Sequence, residues 1–236
     1  MPTFDDFRAL ATDDSLSQYE KIGFPDSYRE GAEEAIVEDI AAKLPALGGE
    51  RNRFLDIGPG CSRLPRMLIE LCARRGHRAV LVDSPEMLAQ LPDAPNVEKL
   101  PGAFPETRPA GPFDAILAYS VVHYVFAEGD VHAFLDRALE LLAPGGALLV
   151  GDIPNVSKRA RFLRSPAGLE FHRQLMDTDQ PPPAHLTNPE PGQIDDAVVL
   201  GLAARARDSG FDAYVVPLRP DLPLANRRED LLVTRP

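Results

Sequence analysis

Four residues in the first half of the chain have the types and spacing to hold a charged small molecule: Asp56, Gly58, Gly60 and Asp83. The stretch Phe54-Leu-Asp-Ile-Gly-Pro-Gly-Cys-Ser62 passes from an apolar run into a glycine loop, with Pro59 between the glycines. A dinucleotide loop reads G-x-G-x-x-G, and its third glycine lets a helix pack closely under a pyrophosphate. Here that third position is Arg63. Asp56, two residues ahead of the first glycine, would repel a pyrophosphate and attract an ammonium group. At an effective dielectric of about 20, charges in contact at 4 Å interact by about 4 kcal/mol before desolvation, so the sign of the charge decides. Asp83 follows Gly60 at a separation close to the ~20 residues at which an acid accepts ribose hydroxyl protons. Together these groups describe a site for a ribonucleoside joined to an ammonium-bearing chain.

The elements that must position them follow from periodicity. "RFLDIG" and "AVLVD" (79–83) are apolar strands, and "VEKLPG", "FDAILAYS" (113–120) and "ALLVGD" (147–152) are three more. Between them run amphipathic helices: one over Gly31–Leu47 with Ile36, Ile40 and Leu44 on its stripe, and one opened by Ser62 and closed by Gly76. A short helix covers "PEMLAQL", and another runs from Val131 to Leu142 and is terminated by "PGG" at 144–146. Residues 1–30 read as polar and irregular. Residues 156–193 hold a basic helix-like stretch and then "QPPPAHLTNPEPG", a loop by its proline content. A helix around 194–209 precedes "DAYVVPL" and "EDLLVTRP", two strands whose short connection demands antiparallel pairing. Apolar strands alternating with amphipathic helices predict an α/β fold: a doubly wound, mostly parallel seven-stranded sheet, helices on both faces, with an antiparallel strand near the C-terminus. One domain over 1–236 is expected, with 1–30 as a cover segment and 156–193 as a lid insertion.

Composition narrows the function further. Lys+Arg number 25 against 36 Asp+Glu, a formal charge of −11, which opposes a general grip on nucleic-acid phosphates. The N-terminus lacks a basic region followed by an apolar core, and no apolar run approaches a membrane span. Cys61 and Cys72 form neither a disulfide framework nor a metal spacing. A cytoplasmic protein with no membrane partner is expected, and a homodimer is left open.

S-adenosylmethionine answers the description of the ligand. The segment from about 50 to 155 resembles the class I S-adenosylmethionine-dependent methyltransferases of small-molecule type: "LDIGPG" resembles the family's first motif, "LVDSPEML" its second, "FDAILAYSVVHYV" its fourth-strand segment, and "LLAPGGALLVGD" the turn and strand that follow. The resemblance implies that Asp56, Gly58, Pro59 and Gly60 face the methionyl part and that Asp83 holds the ribose. Ser84 and Met87 would lie beside the adenosine, and Gly102, Ala103 and Phe104 would flank the adenine. Tyr119 and Ser120 would line the pocket near the sulfonium. The family often has a further glycine where Cys61 or Ser62 stands.

Methyl transfer from a sulfonium gains most from alignment, and a hydroxyl acceptor also needs a general base. His123, Asp152 and His172 are the candidates for that base. "AYSVVHY" offers no carboxylate for a divalent ion, so metal dependence is not expected. Asn155 is a candidate acceptor contact. Lys158, Arg159, Arg161 and Arg164 cluster in "SKRARFLR", where Arg159 and Arg161 could read an anionic acceptor; the competing reading is a solvated helix face. Asn226 and Arg227, in "LANRRED", either face the acceptor or make a turn. Tyr19, Lys21, Tyr28 and Arg29 could form a cover that excludes water. The expected activity is methylation of a small polar acceptor, foremost a hydroxyl of a sugar or sugar-nucleotide-like metabolite. The alternatives are an N- or C-methyltransferase on another metabolite, or a non-catalytic S-adenosylmethionine-binding protein. An NAD-dependent reductase is disfavoured by Arg63 and Asp56.

Overall fold

Helices cover both faces of the central strands, so neither alternate set of their side chains meets water and the sequence can be apolar throughout. The computed structural model describes residues 3–188 and 192–236. Its strands are β1 (Arg53–Ile57), β2 (Arg78–Asp83), β3 (Val97–Pro101), β4 (Phe113–Tyr119), β5 (Leu142–Pro154), β6 (Asp212–Pro217) and β7 (Arg228–Thr234). They form one seven-stranded sheet in the order β3-β2-β1-β4-β5-β7-β6. The first five pair in parallel, while β7 is inserted between β5 and β6 and runs antiparallel to both. Chain direction across the sheet reverses beside β1, so the carboxyl ends of β1 and β4 flank the crevice where ligands of such sheets lie.

The helices are α1 (Phe4–Thr12), α2 (Glu33–Lys43), α3 (Arg63–Arg75), α4 (Pro85–Ala89), α5 (Val122–Glu128), α6 (Val131–Glu140), α7 (Val156–Arg164), α8 (Pro166–Met176), α9 (Ala184–Thr187) and α10 (Asp196–Asp208). Strand alternation sorts the core into two layers. Leu55, Ile57, Ile116 and Val150 pack with Phe134 and Leu135 of α6 and Leu202 and Ala206 of α10. Phe54, Leu117 and Leu149 pack with Ile36 and Ile40 of α2 and Leu68 and Cys72 of α3. Gly76 closes α3 in the left-handed region, as its position implies. Ser62 stands at the N-cap of α3, yet its side chain makes no capping bond.

Four local expectations need correction. Of the segment 1–30, the described residues 3–30 are not irregular: Thr3 and Asp6 form a reciprocal capping box that starts α1, and two short 3-10 turns follow at Glu20–Ile22 and Asp26–Tyr28. Helix α5 was not expected; it begins directly after β4, without a side-chain cap to announce it. The Pro-Gly-Gly at 144–146 does not stop the preceding helix, which ends at Glu140; it lies inside β5, where pairing with β4 jumps from Phe113↔Leu142 to Ala115↔Ala147. Gly146 is needed there, because a Cβ would come within 2.9 Å of the Phe113 carbonyl oxygen. The proline-rich loop carries α9, and its residues 189–191 lie outside the described ones.

Candidate functional site

A cavity of about 340 Å³ opens at the carboxyl ends of β1, β2 and β4. One end is built by Asp83, Met87, Gly102, Ala103 and Phe104, with Phe134 closing it. Phe104 and Phe134 meet edge to face at 5.1 Å. The glycine loop, Gly58-Pro59-Gly60, forms the middle with Tyr119, Ser120 and Val121. The other end is walled by the N-terminal segment and the start of α2: Tyr19, Phe24, Arg29 and Glu33. Gly58 has φ +68°, and a Cβ there would sit 2.6 Å from Val121 Cγ2, so this turn admits no side chain without displacement.

Of the two strand-end acids, Asp83 is the one that lines the cavity. As the last residue of β2 it accepts the Gly60 N–H on Oδ2 at 2.8 Å and the Ser84 N–H on Oδ1 at 2.7 Å. Burial pushes its carboxyl up to about 6, against the pull of those two backbone bonds. Each oxygen keeps lone-pair capacity for a ligand hydroxyl. Ser84 is spent capping α4, where its Oγ accepts the Met87 N–H at 3.2 Å, and it does not line the cavity.

Asp56 departs from the expectation. It shares a strand face with Phe54 and lies beneath α3, close enough that its charge helps push the Cys72 thiol up to about 12, an effect led by burial. It is 2% exposed and absent from the cavity wall. Burial, followed by the charge of Asp83, pushes its carboxyl up to about 8, so at neutral pH it is largely protonated.

The base candidates are also placed away from the wall. Asp152 is buried and clamped: Arg29 Nη2 donates to Oδ2 at 2.7 Å, Arg228 Nη1 donates at 2.7 Å, and Ser120 Oγ donates to the same oxygen. Arg29 also donates to Ser120 Oγ at 2.6 Å and stacks over Phe24 at 4.3 Å, so the cover segment is riveted to the tips of β4 and β5. Asp152 and Ser120 both have positive φ, +58° and +61°, a conformation that persists in non-glycine residues where surrounding contacts over-determine it. The network extends on: the Asp152 N–H donates to Asp230, which pairs with Lys43 at 2.7 Å. His123 lies on α5, its ring tilted 41° against that of Tyr124 with 3.9 Å between ring centres. Its Nδ1 has no partner among the described residues, and burial, with Arg228 adding to it, pulls the imidazole down to about 4. His172 is buried on α8, off the cavity wall.

The basic cluster serves the local fold. Arg159 donates to the carbonyls of Leu186 and His185, Arg161 pairs with Asp196, Arg164 donates to the Thr187 carbonyl, and Lys158 donates to the Arg228 carbonyl. Asn155 caps α7 and donates to Asp196 and Glu229. Arg227 lies over the Phe171 ring and donates to Asn226, while Tyr28 is exposed. None of these lines the cavity. Among cavity residues, Glu33 was not singled out from the sequence, nor were Phe7, Phe24 and Tyr124.

The residues present fit S-adenosylmethionine. The wall offers a carboxylate for the ribose at Asp83, an aromatic and glycine-lined slot at Gly102–Phe104, and a buried carboxylate oxygen without a partner, Glu33 Oε2, at the far end. It presents no cluster of ligands for a metal ion among the described residues.

Comparison with known proteins agrees with that geometry. Residues 55–148 match a family model described as a methyltransferase domain. The N-methyltransferase NodS from Bradyrhizobium japonicum WM9, solved with S-adenosylhomocysteine, superposes with a TM-score of 0.60 at 13% identity over 100% of both chains. The 1,6-didemethyltoxoflavin-N1-methyltransferase of Burkholderia thailandensis has a TM-score of 0.54 at 19% identity, covering 100% of this chain and 91% of that one. DhpI, solved with S-adenosylmethionine and HEP, has a TM-score of 0.54 at 18% identity, covering 98% and 95%. No curated protein sequence matches this chain. Residues 55–148 thus match a methyltransferase domain, and the sheet order with its one antiparallel strand is the Rossmann-like fold of the S-adenosylmethionine-dependent methyltransferases it superposes on.

Proposed function

We propose that the protein methylates a hydroxyl of a small polar acceptor, a sugar or sugar-like metabolite, that enters beneath the cover formed by residues 1–30. The cofactor supplies a methyl group on a positively charged sulfur, an electrophile with a good leaving group. Asp83 holds the ribose, Gly102, Ala103 and Phe104 take the adenine, and Gly58, Pro59 and Gly60 give the methionyl chain room. Tyr119 and Ser120 face the transfer. Phe7, Phe24 and Tyr124 keep water out, which strengthens every electrostatic contact inside. Alignment of this kind accounts for about 7–11 kcal/mol of a barrier in well-oriented reactions.

The observation that supports a hydroxyl acceptor is His123: a neutral, buried imidazole with an unpartnered Nδ1, beside a tyrosine of the cavity wall. Asp152 supports positioning of Arg29 rather than proton removal, because two guanidiniums and a hydroxyl converge on its Oδ2 and it does not line the cavity. With Arg159 and Arg161 committed to their own chain, the acceptor needs no phosphate.

A second reading is an amine acceptor. It is favoured by the cavity wall itself, which holds no histidine among the described residues, since an uncharged amine attacks without a base. Release of S-adenosylhomocysteine should be followed with sugar and primary-amine panels across pH. A hydroxyl acceptor served by His123 gives a rate flat from about pH 6 to 8, as expected for an imidazole pulled down to about 4. Turnover on amines alone replaces the first reading by the second.

A further inference from the structure

Glu33 is an acid in an unusual place. It opens α2 on the same stripe as Ile36 and Ile40, is 1% exposed, and forms part of the cavity wall. Tyr19 Oη donates to its Oε1, while Oε2 has no partner among the described residues. The phenol is held well above its ordinary pKa by burial and by that bond, so it stays a donor. A buried carboxylate oxygen without a donor is costly, and on a residue of the cavity wall that cost is relieved by a ligand whose N–H groups reach it.

The surroundings identify the ligand group. Glu34, its neighbour, pairs with Arg63 at the start of α3, so the head of α2 stands beside the glycine loop, at the opposite end of the cavity from Gly102–Phe104. Arg29, four residues earlier in the turn that precedes α2, supplies a guanidinium at the same end. An acid and a base side by side match the two charges of an α-amino acid. Asp56, the other acid near the loop, lies close enough to Cys72 to be felt by its thiol and is not part of the cavity wall.

We propose that Glu33, positioned by Tyr19, accepts hydrogen bonds from the α-ammonium group of S-adenosylmethionine. The inference rests on the cofactor reading given above. The donors are the ammonium N–H groups and the acceptor is Oε2; no proton changes hands.

The test is calorimetric titration of the wild-type protein and Glu33→Gln with three probes: S-adenosylhomocysteine, its analogue lacking the α-amino group, and 5′-methylthioadenosine, which lacks the whole amino-acid end. Wild type should bind S-adenosylhomocysteine, and removing the ligand's amino group should weaken it by about 10- to 100-fold. Glu33→Gln should lose a similar factor for S-adenosylhomocysteine, and its affinity for 5′-methylthioadenosine should be unchanged. In the variant the amino group should then add nothing. Equal binding of S-adenosylhomocysteine by both proteins overturns the proposal, as does an equal loss for all three probes, which marks a structural role. The comparison of the first two probes on wild type needs no variant and stands even where Glu33→Gln fails to fold. If wild type binds none of the probes, it is the cofactor reading that fails.

Discussion

Replacing Asp56 by asparagine should change how stability depends on pH. Its carboxyl is pushed up to about 8 from 3.8 by burial and by Asp83. The sign follows from proton linkage. The folded chain binds this proton more tightly than the unfolded one, so the contribution is complete below about 3.8 and is lost as pH rises to about 8. Between pH 5 and 9 the wild-type protein crosses about three units of that loss, at about 1.4 kcal/mol each, which sets a ceiling of about 4 kcal/mol. Relaxation around a newly ionised group reduces such figures by about half, because buried sites respond with an effective dielectric nearer 20 than 4. The stability of Asp56→Asn relative to wild type should therefore grow by about 2–4 kcal/mol over this range. In a chain of this size 2 kcal/mol is about 4–8 °C in Tm. Urea unfolding of both proteins in buffers stepped from pH 5 to 9 measures it. Taking the difference cancels titrating groups that Asp56 does not touch, such as Asp230, while Asp83, whose charge is coupled to Asp56, titrates as part of the same effect. A difference that stays constant across the range refutes the reasoning, for it would mean that Asp56 is ionised and solvated throughout.

Two further outcomes follow from the partners of the arginines. Arg29→Met should cost about 2–4 kcal/mol in urea unfolding, since it breaks a buried ion pair that Arg228 shares but does not replace; a loss under about 0.5 kcal/mol would show that the rivet carries no energy. The double variant Arg159→Ala, Arg161→Ala should leave acceptor KM and cofactor affinity unchanged, because both guanidiniums bind their own chain. A raised acceptor KM with unchanged cofactor affinity would return them to the acceptor site.

Much of the site was legible because strand, loop and helix follow one another within a few residues. The β1–α3 turn shows in Gly58 and Gly60, and Asp83 shows as the acid ending an apolar strand. Asp56 was harder. Period-two alternation tells which face a side chain takes, yet it does not tell depth: Asp56 precedes the last residue of β1 and stays under α3, whereas Asp83 is the last residue of β2 and emerges. Glu33 left a signal that apolar periodicity passes over, an acid three and seven residues ahead of Ile36 and Ile40 on a buried stripe. The pairing of Arg29 and Arg228 with Asp152 left none. Their pairs join residues 123 and 76 positions apart, and no local pattern encodes which charges will meet once the sheet has formed.

The most direct test of the account is titration of S-adenosylhomocysteine into wild type and Asp83→Asn. The account predicts one site in wild type and about 10- to 100-fold weaker binding in the variant, with 5′-methylthioadenosine weakened in parallel because the ribose end is common to both. Equal affinity in the two proteins, or no heat with wild type, would contradict it.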